Sequence, residues 1–301
     1  MTKKSTNLLG IIIIILAGTY FYITCCSECG MASNEKPQKE VMAPVVPEAT
    51  SYPFAFNSGG YDYSTNDNFN FNPSSADILM PVSQNVENGI DGLKSFLTNN
   101  AGKVVNITGF YKSDEENDSA FPNLGLARAN AVKNYFVSKG IPSSVLNPVG
   151  VLNDDLIPKD NIYLGPLEYG LGDRSEDADA KLKELYDRIN NDPLVLQFNT
   201  AEASINMTAA QRQKFADISS YLDKVDGSMA NVVGHSDNTG QRAANIVLGQ
   251  QRADFAKSYL MRNGIPESKI NATSKGPDEP IASNATEEGK AQNRRTVITL
   301  N

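Results

Sequence analysis

Met229-Ala230-Asn231-Val232-Val233-Gly234-His235-Ser236-Asp237-Asn238-Thr239-Gly240 is the stretch on which the reading of this chain turns. Its first seven residues are mostly apolar, with β-branched Val232 and Val233 at the centre, and predict a short strand over 229–235. The polar run after Gly234 then forms the strand's exit. Downstream, Asn245 to Arg262 predicts a helix, and Asn263-Gly264 with Pro266 shortly beyond is a stop signal. Upstream, Thr208 and Gln211 are spaced as a capping box, opening a helix that carries Phe215, Ile218 and Leu222 on one face. Arg295 to Leu300 alternates as a last strand. Strands separated by helices predict an α/β fold with crossover connections, an α+β sandwich in which helices cover one face of the sheet.

The same order of signals occurs twice. Phe71-Asn72 and Phe198-Asn199 are each expected to close a short strand. Each is followed by a helix-like stretch, ending at Phe96-Leu97 and at Tyr221-Leu222. Then Val104-Val105-Asn106-Ile107-Thr108-Gly109 matches Asn231-Val232-Val233-Gly234, and Gly125-Leu126-Ala127-Arg128-Ala129 matches Gly249-Gln250-Gln251-Arg252-Ala253. Gly140-Ile141-Pro142 matches Gly264-Ile265-Pro266, and the arginine-to-glycine spacing is 12 residues both times. Two tandem βαβαβ-type domains are expected, at 68–170 and 191–301. Between them, 171–190 is expected to link the copies through an amphipathic helix from Asp177 to Asn190.

Toward the start of the chain, Lys3 and Lys4 precede Leu8 to Cys26, a run of 19 residues without a charge. This is close to the ~20 needed to cross a bilayer as a helix. Tyr20 and Tyr22 suit an aromatic belt, and the lysines favour a cytoplasmic N-terminus. Residues 1–30 therefore read as a membrane anchor with a transmembrane helix over about 8–26. A cleaved signal peptide or lipidation at Cys25 or Cys26 are the alternatives. Residues 31–67, rich in Pro, Ser, Asn and Gly, read as a flexible tether, and ~38 such residues would have an rms span of roughly 35 Å.

Charge and cysteines narrow the function. The net charge is −8, yet 191–301 carries 12 acidic and 12 basic residues, so the whole excess lies upstream. No basic stripe exists, which argues against nucleic acid as a partner. Cys25, Cys26 and Cys29 are the only cysteines and His235 the only histidine. With no other histidine or cysteine in reach, neither a disulfide framework nor a zinc site is expected, and no cofactor is called for.

The second copy combines Gly234-His235-Ser236-Asp237-Asn238-Thr239-Gly240 with Asn245, Leu248, Arg252-Ala253, Gly264-Ile265, Pro280-Ile281-Ala282 and Asn293-Arg294-Arg295. Over Leu194 to Leu300 it resembles the OmpA-like peptidoglycan-binding domain of outer-membrane proteins, wall-anchoring lipoproteins and flagellar stator subunits. The resemblance implies a ligand, the free end of a diaminopimelate side chain, with an ammonium and a carboxylate on one carbon. It implies that Asp237 takes the ammonium and Arg252 the carboxylate, with Asn245, Arg294 and Ser236 in support. A planar guanidinium suits a carboxylate better than a lysine would. Taken singly, Asp237 could equally cap a turn before Gly240, and Arg252 could be a solvated helix residue. His235 reads as structural. Gly249 stands where the family often has serine, and 274–277 lacks the aromatic usual there.

The first copy departs at the site itself. Lys112 replaces Asp237, Phe121 falls at the Asn245 position, and the paired arginines are missing near Asn161 to Leu164, although Arg128 remains. It is not expected to bind diaminopimelate in the same manner; a spacer, a surface for an envelope protein partner and a binder of a different anion are the alternatives. The expectation for the whole chain is a non-enzymatic tether in the periplasm of a Gram-negative-type bacterium. It would be held by its N-terminal helix in the inner membrane or, alternatively, as an outer-membrane lipoprotein, and would bind peptidoglycan. A scaffold of an envelope complex that binds another ligand is the alternative function. A stator subunit needs an ionisable group within the membrane, which Leu8 to Cys26 does not offer. A wall-acting enzyme needs a second carboxylate or a nucleophile–base pair beside Asp237, and the motif supplies none.

Overall fold

The computed structural model describes residues 15–22, 48–58 and 60–301. Residues 15–22 are helical. The rest of the expected membrane segment 8–26, the three cysteines and the tether as far as residue 47 lie outside the described residues. Among the described residues no helix is long and apolar enough to cross a membrane. The chain divides into a unit of residues 1–47 and one of 48–301, and the second contains all that follows.

Its first half opens with a hairpin, β1 (Phe54–Ser58) and β2 (Tyr61–Thr65). Next come α1 (Gln84–Asn99), β3 (Lys103–Tyr111), α2 (Leu124–Ser138), β4 (Leu146–Leu152) and β5 (Leu167–Asp173). The hairpin corrects the later part of the tether expected over 31–67, since residues 54–58 and 61–65 are folded. Phe54 and Phe56 alternate with less buried neighbours and enter the core fully buried, packing on Phe136 and Tyr169. A run rich in Asn, Ser and Gly can still fold when its aromatic residues alternate at the period of a strand. Phe71 is also not the end of a strand but a single bridge to Tyr163. The sheet order is β4-β3-β5, parallel on the β4 side and antiparallel on the β5 side.

The second half contains α3 (Ala178–Asn191), β6 (Leu194–Gln197), α4 (Ala209–Lys224), β7 (Ala230–His235), α5 (Arg242–Arg262), β8 (Ile270–Gly276), α6 (Glu287–Asn293) and β9 (Arg295–Leu300). Its sheet order is β6-β9-β7-β8. Strand β7 is parallel to β8 and antiparallel to β9, and β6 is antiparallel to β9, so β6 and β7 run the same way. The capping box forms: Thr208 Oγ1 accepts the Gln211 N–H and Gln211 Oε1 accepts the Thr208 N–H. The α5 stop signal is a Schellman turn. Gly264 adopts φ +90°, the Ile265 N–H donates to Leu260 O at 3.1 Å, and Ile265 is buried beneath. Gly140 and Ile141 end α2 in the same way.

Close helix–strand contact sets the site. A Cβ on Gly234 would lie 1.9 Å from Gly249 O, and one on Gly109 would lie 2.1 Å from Gly125 O. Only glycine admits the helix backbone at that distance. From Gly249, α5 buries Ala253, Ala256 and Leu260 against the sheet. The same approach brings Arg252 to the end of β7.

Candidate functional site

Arg252 is fully buried, not solvated. Its Nε donates to Glu202 O (2.8 Å), one terminal nitrogen to His235 O (2.9 Å) and the other to Asn199 O (3.0 Å), while the ring of Phe198 lies 5.1 Å from its centre. A guanidinium has five N–H donors. Three are engaged here, and one on each terminal nitrogen has no acceptor among the described residues. Burial lowers its pKa to about 10, with Asp237 opposing that fall and Arg294 adding to it.

Asp237 lies two residues past the end of β7 and is buried. Its Oδ1 accepts the Thr239 N–H at 2.8 Å, so the turn-capping role holds, and its Oδ2 accepts from Arg294 at 2.9 Å. Burial works to raise its pKa, but the Thr239 N–H and the Arg294 guanidinium hold it below the usual carboxylate value. Arg294 also donates through Nε to Phe198 O at 3.1 Å. It is therefore the direct ion-pair partner of Asp237.

The other expected residues shape the loop. Asn245 Nδ2 donates to Thr239 O (3.0 Å) and Ser236 Oγ donates to Asp237 O (2.8 Å), so both side chains brace the loop that carries Asp237. His235 is buried, its Nδ1 has no partner among the described residues, and burial lowers its pKa to about 4, with Arg295 adding to the shift. Ser236 does not donate to it. Among the described residues no cluster suited to a metal ion occurs.

The first half repeats this frame atom for atom. Arg128 donates from Nε to Ser75 O (3.0 Å), from one terminal nitrogen to Phe110 O (2.8 Å) and from the other to Asn72 O (3.5 Å), and Phe71 lies 5.7 Å from its centre. The turn beside each arginine has a non-glycine residue in the left-handed region, Ser74 at φ 56° and Ala201 at φ 62°. Tyr163, bridged to Phe71, stands where Arg294 stands, since Arg294 O accepts from Phe198 N at 2.9 Å. The difference is Glu115. Its two oxygens take the two remaining donors of Arg128 at 2.5 and 3.0 Å, and also the backbone N–H groups of Ser74 and Lys112, both at 2.9 Å. Sequence reasoning missed Glu115, which lies in an acidic run that reads as solvated. It also missed the carbonyls of Asn72 and Asn199, although both asparagines mark the repeat.

Comparison with known proteins adds three findings. The model of the OmpA family matches residues 70–161 and again residues 197–294. Among curated proteins, the probable lipoprotein YiaD of Escherichia coli is 35% identical over 139 residues, a match covering 46% of this chain and 63% of that protein. The peptidoglycan-binding protein ArfA of Mycobacterium tuberculosis is 46% identical over 68 residues, covering 23% of this chain and 21% of that protein. The chain thus spans less than two thirds of the length of these relatives. Among solved structures, the peptidoglycan-associated lipoprotein of Burkholderia pseudomallei superposes with a TM-score of 0.34 at 24% identity, over 36% of this chain and 89% of that one.

Proposed function

The chain belongs to the OmpA family, and on that footing we propose that it is a non-enzymatic, peptidoglycan-binding protein of the cell envelope. In this reading it grips the diaminopimelate of a wall peptide stem through Asp237 and Arg252. The observation that carries the reading is the pair of unengaged N–H groups on Arg252, one per terminal nitrogen. They lie in the frame in which Arg128 holds a carboxylate with both oxygens. The ligand carboxylate enters that place with bidentate geometry. Its ammonium meets the Asp237 carboxylate, which keeps acceptor capacity beyond its bonds to Thr239 and Arg294. Arg294 fixes Asp237 in place, while Asn245 and Ser236 hold the loop that carries it. The relative named peptidoglycan-binding supports the same ligand class.

The proposed organisation is a membrane anchor, a tether, a first OmpA-like domain that does not bind the wall, a linking helix and a second domain that does. The bulk of the chain lies in the periplasm. A lipid anchor at Cys25 or Cys26 is favoured by one observation, the likeness to a probable lipoprotein. The mass of the mature N-terminus separates it from an uncleaved helix.

The test is co-sedimentation of the full chain with purified sacculi. Wild type is expected to pellet and free diaminopimelate to release it. Asp237→Asn keeps an acceptor for the Thr239 N–H but removes the charge and the bond from Arg294, and is expected to weaken binding about tenfold or more, since it leaves the ammonium uncompensated. Arg252→Lys keeps the charge but loses the planar fork, and is expected to weaken binding similarly. Retention of both variants at the wild-type level would sink the site assignment. Loss of all binding in Asp237→Asn would also show that the first half holds no wall peptide of its own.

A further inference from the structure

The first half lacks the aspartate, the asparagine and the paired arginines of the second, yet its arginine frame is intact. An arginine kept only for packing has no need of two outward donors facing a built cradle. Here that cradle has four donors, the two terminal N–H groups of Arg128 and the backbone N–H groups of Ser74 and Lys112. Every one of them points at a single carboxylate, that of Glu115, whose side chain is 3% exposed. The left-handed turn at Ser74 aims its N–H into the cradle. The faces of Phe71 and Tyr163 lie 5.7 and 5.2 Å from the guanidinium centre.

Glu115 reaches this place because α2 starts late. Asn123 caps it, accepting the Leu126 N–H at 2.8 Å, whereas α5 begins about two turns earlier relative to its arginine. The residues that form the first turns of α5 are therefore a loop in the first half. That loop is pinned by Ser74 Oγ accepting from the Glu116 N–H (3.0 Å), by Asp154 accepting from the Ser113 N–H (2.8 Å) and by Arg212 of the second half donating to Asn117 O (2.9 Å).

We infer that the first half retains a carboxylate-binding site, of the kind that takes the carboxylate of an amino acid or peptide, and that Glu115 plugs it from within the chain. The first half is thus a closed copy of the binding frame, already holding its own ligand group. This stands on the contacts of Glu115 and holds whether or not Arg252 takes a wall peptide.

Chemical rescue in the full chain tests it. Glu115→Ala leaves four donors facing a gap that a small carboxylate fits. The variant is expected to melt about 5–10 °C below wild type, because one partner of a buried ion pair is gone. Sodium acetate at ~100 mM, compared with sodium chloride at equal ionic strength, is expected to recover a third or more of that loss. Any acetate effect through Arg252 is common to wild type and variant, so the difference between them reports on Arg128 alone. Glu115→Gln fills the gap with an amide and is expected to show no acetate-specific gain. Adding Arg128→Met to Glu115→Ala is expected to abolish the rescue. If Glu115→Ala does not fold in chloride, its refolding yield is read instead, and a higher yield in acetate than in chloride supports the plug. The inference is overturned if acetate and chloride act alike on Glu115→Ala once the wild-type difference is subtracted. It is equally overturned if the rescue survives without Arg128. Sacculus binding, read on the same variants, rests on the second half and is expected to be unchanged by Glu115→Ala.

Discussion

His235 ends β7 with its ring buried, its carbonyl held by Arg252 and its Nδ1 without a partner among the described residues. Burial, joined by Arg295, lowers its pKa to about 4 from 6.5. The sign follows from linkage. Below pH 6.5 the unfolded chain takes up a proton on this ring that the folded chain refuses, so stability declines as pH falls from 6.5 to about 4. The loss over that window is on the order of 3 kcal/mol. Urea unfolding of wild type and His235→Gln across pH 4–7 checks this, and the variant is expected to give the flatter profile. A parallel slope in both would show that the ring does not control it. At this scale the sequence named Asp237, Arg252, Asn245, Arg294 and Ser236 from motif position. It did not reveal that Arg294 pairs with Asp237, because 57 residues separate them and only the β9–β7 pairing brings them together. Nor did it reveal Glu115, whose neighbours Asp114, Glu116 and Asp118 give it the look of a solvated charge.

Among elements, the signals that depend on a few adjacent residues were the legible ones. The Thr208–Gln211 box and the Gly264–Ile265 stop form as their sequences require. The β1–β2 hairpin was hidden because its composition is that of a linker, and only its buried Phe54 and Phe56 betray a strand period. The crossing of β7 and α5 depends on Gly234 facing Gly249, which is a long-range match that composition does not announce. Gly234→Ala would set a methyl group 1.9 Å from a backbone oxygen. It is expected to cost about 3 kcal/mol or more by overpacking. By pushing α5 outward it also draws Arg252 away from His235 O. A chemical denaturation curve and a sacculus assay on the same variant read both effects. Wild-type values in both would show that the helix tolerates displacement.

For the whole molecule, the two halves are joined by more than the chain that links them. Lys133 on α2 is fully buried and pairs with Asp223 on α4, and Lys224 donates to Asn147 Oδ1 at 2.5 Å. Cutting a buried pair on one side strands the other charge, so Asp223→Ala is expected to cost about 3–5 kcal/mol. The double variant Lys133→Met/Asp223→Leu is expected to recover most of that cost. A double-mutant cycle by thermal unfolding measures the coupling, and a value near zero would show that the halves do not depend on the pair. Neither the pair nor the contact of the halves was visible in the sequence, where Lys133 and Asp223 are two ordinary helix charges. Strands β6 and β7 are parallel, so the site at their C-terminal ends lies opposite Leu194, where the chain enters from the first half. In the proposed tether, the share of a pull between wall and membrane that the linking chain carries would enter along β6. The β6–β9 hydrogen bonds lie across that line of force, and they carry the load together in shear instead of being peeled apart one at a time.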